Sequence, residues 1–275
     1  MIPAQPTVVP RKWGALASLR LSRSSAALEF RLLRSRPFEM LSLFLVPIQT
    51  VGFVAIFRHA SRPDLDVYGV VAPALIALWG MALQISGEVI ARERDNGSLE
   101  SLSAAPGRLE TVLVGRVSVV TVISLMGLVL WALTAWAFFG VTPIVRAPAP
   151  FVVALLCTAA ATLGTALLFS VFFVNSKSPR IFQNAMTYPF YVLGGVLVPV
   201  AVYPHWVHPL SRIVFLSWSA DLIRDSLNQP SVAGWGWRCG VILGLGVIAF
   251  LVARGLLTLT MRNARREGKL GLSTF

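Results

Sequence analysis

Ala91-Arg-Glu-Arg-Asp-Asn-Gly-Ser-Leu-Glu-Ser-Leu-Ser-Ala-Ala-Pro106 is the densest cluster of charge in the middle of an otherwise apolar chain. A polar stretch between two membrane spans is ordinarily a solvated loop. This one carries more instructions than a loop needs. Asn96-Gly97 is a strong turn signal. Ser98 is a good N-cap, and Glu100 in the first turn suits the helix dipole. Leu99 and Leu102, three apart, form a small apolar face, and Pro106 stops the helix. The pattern predicts a two-turn amphipathic helix over Ser98–Ala104, held between apolar runs on both sides. Such an element can lie in the groove of a partner protein and transmit a push.

Those flanking runs set the fold class. Of 275 residues, 56% are hydrophobic and 13% charged, and the mean hydropathy is +0.72. Soluble domains carry about 25% charged residues, so an all-α polytopic membrane protein is expected. Six runs approach the roughly 20 residues that a bilayer-crossing helix requires: Phe38–Phe57, Tyr68–Ile90, Val117–Phe139, Phe151–Val174, Met186–Tyr203 and Cys239–Leu257. Pro189, Gly194, Gly195 and Pro199 interrupt the fifth. The chain thus divides into a polar N-terminal segment (1–37), a six-helix membrane domain (38–257) and a basic tail (258–275).

The net charge of +12 follows the ends of these runs. A nucleic-acid binder would gather its charge on a polar folded surface, so nucleic acid is not an expected partner. Eighteen of the 24 lysines and arginines fall on one side of the predicted membrane, in the N-terminal segment, around the 91–110 loop, after the fourth span and in the tail. That bias places the loop and both termini in the cytoplasm of a multi-pass protein of the inner cell membrane. The first 36 residues lack an apolar core followed by a small-residue cleavage site, so no cleavable signal peptide is expected. At 100° per residue, Arg20, Arg23, Arg31 and Arg34 fall on one side of a helix and Leu21, Leu28 and Leu32 on an adjoining side. An interfacial helix facing membrane lipid is predicted there. On the opposite side, Pro204–Arg238 contains Ile213–Ile223, apolar but too short to cross, and predicts one or two short helices in the outer leaflet.

Catalytic constellations are missing from the sequence. His59, His205 and His208 all lie on the predicted outer side, without an HExxH pair or an acidic cluster for metal. No GxxxxGK[ST] loop is present to hold a nucleotide. Cys157 and Cys239 lack a CxxC partner and read as small apolar residues. Glu88 and Arg116 stand near the cytoplasmic ends of the second and third runs and could pair. No proton relay is visible at mid-membrane, which weighs against an ion-coupled carrier.

The residues Glu93-Arg94-Asp95-Asn96-Gly97-Ser98-Leu99-Glu100-Ser101-Leu102, followed by Pro106, resemble the Glu-Arg…Gly-Thr/Ser-Leu-Glu…Leu…Pro signature of type-2 ATP-binding-cassette exporter permeases, with the drug- and antibiotic-exporting branch the closer match. The basic N-terminal segment, Pro47-Ile-Gln in the first span, Pro204 and the Ser219-Ala-Asp221-Leu-Ile-Arg224 run are similar to the family's pattern too. Where the family usually has Pro-Leu before the Asp-x-x-Arg element, this chain has Phe215-Leu216-Ser217. The aromatic, arginine-rich entry helix of the sugar-polymer branch is not evident.

The resemblance implies a six-helix half-transporter paired with a second copy or a sister permease. Separate ATP-binding-cassette subunits, which hold the ATP and magnesium, would push on the coupling helix at Ser98–Ala104; this chain would hold no cofactor and be no enzyme. Glu93, Arg94, Gly97, Ser98, Leu99, Glu100 and Leu102 would meet the ATPase, and Pro204, Asp221 and Arg224 would shape the outer hairpin. Cargo would be amphiphilic drugs, antibiotics or lipid-like molecules, consistent with an apolar interior carrying few charges. A secondary carrier or channel, export of a lipid-linked glycan, a membrane enzyme and a membrane anchor are the alternatives.

Overall fold

The computed structural model describes residues 15–35, 41–59, 66–95, 109–140, 145–175 and 179–266, and within them the chain is helical without a strand. The helices are α1 (Ala15–Ser35), α2 (Leu41–His59), α3 (Asp66–Asp95), α4 (Leu109–Ser124), α5 (Met126–Phe139), α6 (Pro148–Asn175), α7 (Pro179–Leu193), α8 (His208–Ile213), α9 (Phe215–Asn228) and α10 (Trp235–Arg266).

Among the described residues, three stretches are long and apolar enough to cross a membrane: Thr111–Phe139 through α4 and α5, Pro148–Phe173 in α6 and Trp235–Leu259 in α10. Two shorter apolar helices, Leu43–His59 and Val71–Gln84, fall in the first and second expected spans. The α4–α5 junction is a tightening of one helix. The Leu125 amide bonds the Thr121 carbonyl at 3.2 Å, and the Leu128 amide bonds Leu125 at 3.1 Å, closer in sequence than the helical ladder. The Ser124 hydroxyl also donates to the Thr121 carbonyl, at 2.8 Å.

The fifth apolar run differs from the expectation of a helix over Met186–Tyr203. The helix starts earlier, at Pro179, and ends at Leu193. Its end is a Schellman motif: the Gly195 amide bonds the Val192 carbonyl at 3.0 Å, and the Val196 amide bonds the Tyr191 carbonyl at 3.1 Å. Gly195 occupies the left-handed position at φ +59°, which a side chain disfavours. The chain then bends into a single 3₁₀ turn, Val200–Val202.

α3 is the central helix, packing against α2, α4, α5, α6, α7 and α9. Its Trp79, 0% exposed, stacks on Phe190 at 4.8 Å and meets Phe169 and Phe215 edge-on at 5.8 and 5.9 Å. One indole therefore joins α3 to α6, α7 and α9. The Tyr191 hydroxyl donates to the Ile76 carbonyl at 3.0 Å, a second tie between α7 and α3. Among the described residues, aromatic rings thus fill the space between α3, α6, α7 and α9. A cleft between α6 and α10 is lined by Ser170, Phe250 and Arg254 among others.

The buried hydroxyls of the apolar helices close on their own backbones. Thr50, Thr121, Thr158, Thr162 and Thr165 each donate to the carbonyl four residues back, at 2.7–2.9 Å. With no water at hand, this is how a helix satisfies a hydroxyl without breaking its ladder. The row Thr158, Thr162 and Thr165 is therefore no polar path.

Candidate functional site: a buried ion pair and a tied helical hairpin

The 91–106 stretch lies largely outside the described residues. α3 carries its beginning, with Glu88, Glu93 and Arg94 on the last two turns; their side chains, together with all of Gly97, Ser98, Leu99, Glu100 and Leu102, are outside the description. What the structure does place is the helix that receives the chain after this stretch. α4 begins at Leu109, and Arg116 stands two turns along it.

Arg116 faces Glu29 of α1. The guanidinium Nε lies 3.6 Å from the Glu29 carboxylate, with the side chains 8% and 1% exposed. A charge this deep in an apolar helix is costly unless an opposite charge meets it. α1 supplies that charge and packs along α4 to do so. The approach is close enough that Gly115 is required, because a Cβ there would run into the Ser22 carbonyl.

The docked side of α1 is centred on Ser25, Glu29 and Leu33, all buried. The leucine side expected to face lipid is not the side that docks on α4. Leu28 is exposed, and Leu21 and Leu32 border the contact. The four arginines Arg20, Arg23, Arg31 and Arg34 are exposed on the far side, as their spacing predicts. Glu29 escaped the sequence reading, although it is the one acid among the first 36 residues and lies opposite the arginines. Isolation of that kind is the signal that could have found it.

At the other end of the helices, α9 is held by polar bonds on every flank. Arg224, 3% exposed, donates through Nη2 to the Val196 carbonyl at 2.6 Å, just beyond the Gly195 bend. The Asp221 carboxylate lies 3.9 Å from the same guanidinium, one turn away. Burial pushes the Asp221 carboxyl above its usual range, and Arg224 and Arg238 hold that rise in check. Asp225 accepts from Arg238 of α10 at 2.6 Å. The Ala147 amide bonds the Ser226 carbonyl at 2.9 Å, and Arg146 bonds the Asn228 carbonyl at 3.1 Å, which fastens the start of α6. Arg212 of α8 lies over the Trp218 ring at 4.5 Å while accepting the indole N–H on its carbonyl.

Asp221 and Arg224 are thus brought together as their spacing suggests. Pro204 is exposed at the turn before α8, its carbonyl accepting the Val207 amide at 2.9 Å. Arg146, Asp225 and Arg238 were missed, since no motif marks them. Arg224→Gln removes the bond to Val196, and a charge-assisted bond of this type contributes about 1.5–3 kcal/mol. The expected result is a correspondingly lower unfolding midpoint in detergent, with α9 loosened from the α7 end. An unchanged midpoint would show the tie to be dispensable.

Among the described residues, membrane-length apolar helices, a docked N-terminal helix and a tied hairpin before α10 define an integral membrane component. Residues 26–228 match the sequence profile of the ABC-2 type transporter family, and the chain belongs to that family. It is accordingly a permease component of an ATP-binding-cassette transporter, a class that works with an ATP-binding-cassette partner. The match begins just before Glu29 and ends with the last residue of α9. No curated protein matches the chain.

Proposed function

We propose that this permease is half of an exporter that moves amphiphilic drugs, antibiotics or lipid-like molecules out across the inner cell membrane. In this reading six helices cross the bilayer, both termini are cytoplasmic, and a second copy or a sister permease completes the pathway. The 98–104 segment couples to a separate ATPase that holds the ATP and magnesium.

The observation that carries the reading is the buried Glu29–Arg116 pair. It joins α1 to the helix emerging directly from the 91–106 stretch, so a push on that stretch reaches both elements together. The aromatic filling around Trp79 favours a route along the face between two permeases over one through the centre of a single chain. Few fixed charges lie in the apolar helices, which suits hydrophobic cargo over ions.

The test is reconstitution with the partner ATPase in lipid vesicles. Gly97→Val, which disfavours the turn, and Glu100→Lys, which opposes the helix dipole, are expected to abolish stimulation of ATP hydrolysis by cargo while leaving membrane insertion intact. Stimulation equal to wild type in both variants would remove the coupling role. Which ATPase and permease co-purify with the chain identifies the assembly.

A further inference from the structure

Cys157 and Cys239 are the only cysteines in the chain, and both are free and buried at 5% exposure. One sits on α6 and the other near the start of α10. They are far apart in sequence yet side by side in the fold, each thiol within interaction range of the other.

Their proximity follows from how the two helices pack. α6 and α10 run together along their length. A Cβ on Gly246 would lie 2.5 Å from the Ala161 Cα and 2.9 Å from its Cβ. A Cβ on Gly164 would run into the Gly246 carbonyl. The backbones therefore touch one to two turns along each helix from the cysteines, and the contact holds the two thiols in a fixed relation.

We propose that Cys157 and Cys239 form a reversible redox site, a thiol pair that closes to a disulfide and fastens α6 to α10 beneath the outer hairpin. Two S–H bonds break and one S–S bond forms. The two electrons and two protons released reduce half a molecule of dioxygen to water. Dioxygen is a fitting oxidant because it is apolar and reaches thiols surrounded by hydrocarbon, where charged reagents do not. The bond would bear on the hairpin directly. α9 is already tied to the start of α6 through Ala147 and to the start of α10 through Arg238, so joining those helices closes a ring of three elements. That this end of the bundle faces the oxidising side, where disulfides persist, rests on the orientation given under the proposed function.

The experiment treats membranes holding the full chain with dioxygen and the membrane-permeant copper–phenanthroline catalyst. The protein is then denatured, its remaining thiols are alkylated with N-ethylmaleimide, and it is weighed intact. The expected product is a monomer two hydrogens lighter that takes up no maleimide, and that takes up two after dithiothreitol. Cys157→Ser and Cys239→Ser should each still take up one maleimide after oxidation, because the remaining thiol has no partner within its own chain. Two maleimides on the oxidised wild type would overturn the proposal, as would a disulfide joining two chains. Protease access to the C-terminal tail in sealed vesicles reports orientation separately, so a wrong topology and a pair unable to close give different results.

Discussion

Glu29→Lys is expected to destabilise the permease by about 3–5 kcal/mol, the cost of breaking a buried ion pair by removing one partner. The native carboxylate is 1% exposed and stands 3.6 Å from the Arg116 guanidinium. Lysine in its place would set two cations against each other where little water can screen them. The quantity to measure is the unfolding free energy in lipid nanodiscs or mild detergent. A reciprocal exchange, Glu29→Arg with Arg116→Glu, should recover a substantial part of the loss, and the double-mutant cycle then isolates the pairwise coupling. Single variants as stable as wild type would show that α1 docks without the charge. The same variants bear on function: if α1 and α4 move as one body, releasing α1 weakens cargo-stimulated ATP hydrolysis even where the chain still folds.

Trp79→Ala carries an expected cost of about 3–5 kcal/mol, the range for truncating a large buried aromatic. The indole is the shared partner of Phe169, Phe190 and Phe215, so truncation leaves a void bordered by α6, α7 and α9 together. Collapse around it would require three helices to shift at once, which argues for the upper part of the range. Trp79→Phe should recover much of the loss. It keeps a ring in the stack and discards an indole N–H that has no hydrogen-bond partner. Because the void is apolar, a small aromatic such as benzene should raise the melting temperature of Trp79→Ala and leave that of the wild type unchanged. A Trp79→Ala chain as stable as wild type would show that the hub is not a keystone of the bundle.

Apolar runs made much of this architecture legible. The stretches around Phe151–Val174 and Cys239–Leu257 carry almost no charge, and helices α6 and α10 occupy them. Run length alone failed at Met186–Tyr203, where hydropathy continues but Gly195 turns the backbone and ends α7. A Gly-Gly pair after an aromatic helix was the available warning. Side-chain partnership was harder to see. Asp221 and Arg224 share a helix, so their meeting follows from a spacing of three, whereas Arg224 meeting the Val196 carbonyl depends on that bend. Glu29 and Arg116 belong to helices with two other described helices between them in the chain, and only packing brings them together. Cys157 and Cys239 likewise look unrelated until Gly164 and Gly246 let their helices touch.

The Glu29–Arg116 contact also bears on how the protein is made. In the two-stage picture, helices first insert one by one and then associate. Arg116 enters with α4, while its counter-charge was synthesised earlier on a helix that precedes every apolar run of the chain. Insertion alone therefore leaves the Glu29–Arg116 pair unmade, and pairing waits until α1 docks onto α4. A nascent permease whose first helix is missing or misdirected lacks this pair at the head of its third apolar run, a mark by which membrane quality control could tell an unfinished chain from a finished one.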